Sequence, residues 1–173
     1  AATRPPPPAA GAAARAQVLT GEEPWRPGLL VTEFLPSFGY SGPFKHVWGT
    51  IKLVSSERGD GFQSMEWFLH GVDANCGHFD TTGVPNACGV HLHVGTSCTA
   101  DTGGRYYNVA SDPWDAAAYT ITHGATECLS PGAGEGVNMM TGLAAADVIG
   151  RAVVVHDVQG VPIACGLLHE MRG

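Results

Sequence analysis

A chain of 173 residues, 44% of them hydrophobic, is long enough for one domain with a full core and hardly long enough for two. Its formal net charge of -7, with only 9 Lys and Arg, leaves no basic surface to offset phosphate repulsion, which excludes nucleic-acid binding. The longest apolar runs, Ala152 to Val155 and Ile163 to Leu168, fall far short of the ~20 residues that a membrane-spanning helix needs.

Residues 1–43 differ from everything after them. They hold Pro5 to Pro8, an alanine-rich run, and then Pro24, Pro27, Pro36 and Pro43. Polyproline favours an extended helix without internal hydrogen bonds, so this segment reads as an arm outside the core. Its role is expected to be docking onto a partner protein, with Trp25, Leu29, Leu30, Phe34 and Leu35 as anchors. The opening Ala-Ala-Thr also fits a new N-terminus left by A-x-A type processing.

The domain proper is expected over 44–173. HVWGTIKLV alternates as a strand does, Glu57 to Gly61 offers a turn, and FQSMEWFLHGV resumes with Met65, Trp67 and Leu69 on one face. The Arg58-Gly59-Asp60 string resembles an integrin-binding tripeptide, but a polar hairpin turn with Gly59 at positive φ is the better reading. YYNVA, AAAYTITH, DVIGRAVVVHDV and PIACGLLH follow as further strands, while helical periodicity is weak everywhere except near Ala144 to Val148. Short strands with frequent turns indicate an all-β antiparallel sandwich or Greek-key barrel.

Five cysteines, at 76, 88, 98, 128 and 165, exceed ordinary cytosolic usage and point to an oxidising compartment, either extracellular or an organelle lumen. The chain has no Asn-x-Ser/Thr, which disfavours a glycosylated secreted protein. Cys76 and Cys88 flank one long connection and can close it as a disulfide; pairing with Cys128 or a free thiol are the alternatives.

Chemistry concentrates in CGVHLHVGTSC. On an extended chain His91 and His93 share a face roughly 7 Å apart at the backbone, close enough to reach one ion. Alone, such a pair is more often two ordinary histidines than two ligands. A third candidate comes from GRAVVVHD, where Ala152, Val154 and His156 share one face of a run that reads as a strand buried on both sides. A histidine buried there needs a hydrogen-bond partner or a metal. His70 and His78 lie in or beside the long connection, and His46, His123 and His169 read as surface or strand-end residues. Met139 and Met140 are soft enough for monovalent copper, yet adjacent methionines more often fill apolar gaps.

The succession HLH, GTSC, GGRYYN, DPW, GRAVVVHD and ACGLL resembles the copper/zinc superoxide dismutases, most closely their copper-only relatives found as domains of extracellular repeat proteins, over about residues 44–168. The resemblance implies an eight-stranded antiparallel Greek-key β-barrel, with Cys98 and Cys165 as the family's intrasubunit disulfide. It also implies that His91, His93 and His156 are three of four copper ligands. Where the family has the remaining ligand, the imidazole that bridges copper and zinc, this chain has Arg105. A guanidinium has no lone pair to give a metal. The zinc ligands are absent as well, and Pro162 stands where catalytic members carry an anion-attracting arginine.

These departures leave three readings. One is a copper-only dismutase of reduced efficiency, with Arg105 taking over the attraction of superoxide. Another is a non-catalytic copper-binding domain, and the last a structural subunit docked onto a larger assembly through residues 1–43. Arg105 beside a metal should weaken its binding unless a nearby carboxylate, such as Asp157, offsets the charge.

Overall fold

The computed structural model describes residues 28–121 and 137–171, together with the backbone of 128–129. Trp25, His123 and the side chain of Cys128 lie outside the described residues. The chain is all-β. Its strands are β1 (Leu29–Val31), β2 (Leu35–Pro36), β3 (Trp48–Ser55), β4 (Phe62–His70), β5 (Val90–Leu92), β6 (Thr120–Ile121), β7 (Cys128–Leu129), β8 (Val137–Met140), β9 (Ala152–His156), β10 (Pro162–Leu167) and β11 (His169–Glu170). Among the described residues helix is confined to a 3-10 turn at Trp114–Ala116 and to α1 (Ala145–Val148), the latter where helical periodicity was expected. Among the described residues no helix is long and apolar enough to cross a membrane.

The strands form two antiparallel sheets, ordered β11-β1-β3-β4-β8 and β2-β10-β9-β5, with β6 and β7 as a separate pair. Among the described residues no ladder closes the two into a barrel. The period-2 alternation of β3 and β4 sends Ile51, Leu53, Met65, Trp67 and Leu69 inward. They meet Val90, Leu92, Val153, Val155 and Ile163 of the second sheet in one continuous core. The turn between β3 and β4 carries Gly59 at φ 65°, and the Asp60 carboxylate accepts the Phe62 amide at 3.1 Å. Arg58-Gly59-Asp60 is thus the hairpin turn of the polar reading.

Residues 28–43, which composition assigns to the arm, supply β1 and β2. Leu29 and Val31 point into the core while β1 lies between β11 and β3. Pro36 is accommodated because β2 is an edge strand, where a missing N–H costs little. Three apolar residues between prolines are enough to pair when neighbouring strands offer open ladders on both sides. The anchors Leu29 and Leu30 therefore belong to the sheet of their own domain.

Two disulfides staple the second sheet, Cys98–Cys165 on its outer face and Cys76–Cys88 within the main core. Cys98 and Cys165, with Cα atoms 5.6 Å apart, join the loop after β5 to β10 and bury a small cluster with Ala152. Cys76 and Cys88, 5.7 Å apart at Cα, close the long connection between β4 and β5. The first closes a 67-residue separation, so replacing both its cysteines with serine is expected to cost about 4 kcal/mol on the chain-entropy model. Denaturant unfolding of wild type and variant measures it, and a loss below about 1 kcal/mol would mean that the bridge constrains little.

Candidate metal centre

The centre is built on the face of the second sheet turned away from the core. In the β5–β9 ladder His91 stands opposite Val154, and Val90 and Leu92 stand opposite Val155 and Val153. Since Val153 and Val155 face the core, His91 and Val154 face outward, and His156, two residues beyond Val154, shares that face. His93 follows on the same side of its strand, where it bridges to Arg105 and its amide donates to the Ala152 carbonyl at 2.8 Å. All three imidazoles are buried, being 2%, 8% and 1% exposed for His91, His93 and His156, because loops cover this face.

The rings converge. The centroid of His156 lies 4.9 Å from that of His91 and 5.9 Å from that of His93. One ring nitrogen from each of the three histidines lies within 4.8 Å of the others. Small side-chain rotations close that span onto one ion, whose bonds to imidazole nitrogen are about 2.0–2.1 Å. The hydrogen bonds orient the lone pairs: His93 Nδ1 donates to the Gly103 carbonyl at 2.7 Å and His156 Nδ1 to the Gly89 carbonyl at 3.2 Å, leaving Nε2 of each as the acceptor. Among the described residues His91 Nδ1 and His93 Nε2 find no hydrogen-bond partner, and both are buried. Two unpaired nitrogens in one buried cluster cost free energy unless something binds them, and an all-nitrogen donor set fits a transition metal.

Electrostatics keeps these rings neutral. Burial, then the neighbouring His156, Arg105 and His93, push His91 down to about 2. Burial likewise lowers His156 to about 4 against the opposing bond to Gly89, with His93 and Arg105 adding to the depression. His93 is lowered by burial and by Arg105, opposed by its bond to Gly103 and by Asp101 and Asp112. Near pH 7 all three therefore present free lone pairs rather than protons.

Arg105 lies beside the trio, its side chain 14% exposed. Its Nη1 donates to Asp112 at 2.9 Å and to Asp115 at 2.6 Å, while Nε and Nη2 both donate to the Asn86 side-chain carbonyl. Asp157, the carboxylate expected to offset this charge, is committed elsewhere: its Oδ1 accepts the amides of Gln159 and Val161 at 2.9 Å each, closing the turn between β9 and β10. Asp112 and Asp115 do that work instead. They were not singled out in the sequence, although Asp112 lies within the DPW string.

Apart from Pro162, which adjoins it, the other expected residues fall away from the centre. Pro162 pairs with His156 across the β9–β10 ladder. His70 is on the first sheet, stacked on Trp48 with ring centroids 3.9 Å apart. His46, His78 and His169 are exposed; Met139 fills the core and Met140 is exposed on β8. A cavity of about 480 Å³ reaches the trio at His91, walled by Thr81, Val84, Pro85, Asn86 and Asp115. Comparison with known proteins finds no matching family model, no matching curated protein and no matching solved structure.

Proposed function

We propose that the protein is a superoxide dismutase-like domain that holds a single copper ion through His91, His93 and His156 and has weak or no dismutase activity. The observation that carries this reading is the convergence of three neutral, buried imidazoles, two of them with unpartnered nitrogens. On this reading the two sheets are the halves of an eight-stranded Greek-key barrel, and the motif order from HLH to ACGLL supports that likeness. Copper suits the donor set: imidazoles bind it well, divalent copper stands at the top of the first-row affinity order, and three ligands suffice for the monovalent ion. When bound, copper would supply one-electron redox chemistry.

Dismutation needs more than the ion. Turnover requires a ligand set that serves both oxidation states and a group that delivers protons to the reduced oxygen species. Arg105 does neither. It is also a poor guide for superoxide, because with Asp112 and Asp115 it forms a cluster of formal charge -1 (one positive, two negative groups), and such a cluster repels an anion. The two disulfides fit an oxidising environment, and within it we place the protein outside the cell or in an organelle lumen.

Metal analysis after exposure to equal copper and zinc is expected to find one copper per chain, and His91→Ala is expected to lose it. Copper content equal in the two proteins would remove the reading. Superoxide turnover of the copper-loaded protein is expected to start low and to rise in Arg105→His. A high initial turnover that the substitution leaves unchanged would refute the argument from the missing imidazole.

A further inference from the structure

A fixed positive charge next to a metal pocket is unfavourable, and here the charge is met by three side chains from two separate segments. Asn86 belongs to the connection closed by Cys76–Cys88 and sits at φ 63°, a left-handed conformation that asparagine tolerates better than most residues. Asp112 enters from the segment before the 3-10 turn. One of its oxygens takes Arg105, while the other accepts the Trp114 amide at 2.9 Å. Trp114 is fully buried, and its indole N–H donates to the Tyr106 carbonyl at 2.8 Å, beside Arg105 in the chain. Asp115 adds a second carboxylate from the solvent side, 82% exposed.

We propose that Asn86, Asp112 and Asp115 are positioning residues that cage the Arg105 guanidinium, fixing its direction and neutralising its charge so that the imidazole trio can accept a copper ion. The proposal rests on the copper reading above. Arg105 stands directly opposite His93 in a β-bridge, and Asp112 meets its guanidinium at 2.9 Å, so this charge and its counter-charge both border the pocket. A fixed positive charge there repels a metal ion unless it is offset. Four hydrogen bonds to three acceptors hold the guanidinium as a wall of the site. Of the two carboxylates Asp112 is the more effective, being 29% exposed and rigidly placed, whereas Asp115 is screened by water.

The test uses the full chain, monovalent copper and a chromogenic copper(I) chelator as competitor. Asp112→Asn keeps the oxygen that Trp114 needs, and Asn86→Gly keeps the left-handed backbone, so both spare the local fold. The pair together is expected to weaken copper binding about tenfold or more, Asp115→Asn alone much less, and Arg105→Met added to the pair to restore it. Rescue by removing the arginine is what a merely structural role would not give. Unchanged affinity in the pair, or a loss that persists after Arg105→Met, overturns the proposal with copper still bound in wild type. In metal-free protein the cage predicts a protected Arg105 Nε–H proton resonance, lost in Asn86→Gly. Its absence from wild type overturns the cage independently of the metal. A protected resonance in a wild type that binds no copper overturns the proposed function and, with it, the purpose assigned to the cage.

Discussion

Gly89→Ala is expected to lose the metal site while leaving the two sheets in place. A Cβ at residue 89 would overlap Cε1 and Nε2 of the His91 ring, and the space open to that ring is the cavity of about 480 Å³ that it lines, away from the other two imidazoles. The backbone there is held by the Asn86 carbonyl on its amide, by a bridge to Ala118, and by two donors on its carbonyl, the His156 amide at 2.9 Å and the His156 ring at 3.2 Å. The ring of His91 is 2% exposed and packed against His156, so it escapes only by leaving the cluster. Glycine is required for space here, and its carbonyl also fixes the tautomer of a second ligand. Loss of such support typically costs a metal site about 10–100-fold in affinity, and displacing a ligand outright places this variant at the upper end. Competition with the copper chelator measures it. Gly104→Ala is the control, since nothing lies within 4 Å of a Cβ built there. Equal affinity in Gly89→Ala and wild type would show that His91 is not a ligand.

Much of this site can be read from local pattern. Alternation in VHLHV puts His91 and His93 on one face, and the valines of GRAVVVHD announce a strand buried on both sides with His156 at its end. Ladder register then turns two local patterns into one centre, since Val90, His91 and Leu92 pair with Val155, Val154 and Val153. Charge partners are another matter. Asp157 is adjacent to His156 in the chain, yet its carboxylate turns back to cap its own tight turn, while Asp112 and Asp115 reach Arg105 from 7 and 10 residues away. Sequence separation carries no information about such contacts, which are set by where loops cross above a sheet. The proline-rich beginning misleads for a related reason. Composition averages over a window, but Leu29 to Val31 needs only its own alternation and an open ladder on either side to become a strand.

Acid is expected to unfold the metal-free protein well above the range in which carboxylates titrate. The ordinary imidazole value is 6.5, whereas the folded pocket holds His91 at about 2 and His156 at about 4, burial being the main cause of both. The sign follows directly: below pH 6.5 the unfolded chain takes up protons that the folded pocket refuses, so stability is complete above 6.5 and falls as pH falls. For these two residues together the loss is about 3 kcal/mol per pH unit between roughly pH 6 and 4.5, a large share of the ~5–15 kcal/mol that holds a typical domain together. Asp60 and Asp80, whose values are lowered from 3.8 by hydrogen bonds at Phe62 and Thr82 respectively, act only below that window and do not confuse it. Denaturant midpoints measured from pH 7.5 to 4.5 should therefore fall steeply in the metal-free protein, and less steeply in His91→Leu, which removes one of the groups that refuse a proton. Copper-loaded protein should keep its midpoint to lower pH, because metal and protons compete for the same nitrogens. A flat metal-free profile across this range would mean that the imidazoles are accessible to protons in the folded state, and a pocket that admits protons freely is not the dry, neutral cluster on which copper binding depends.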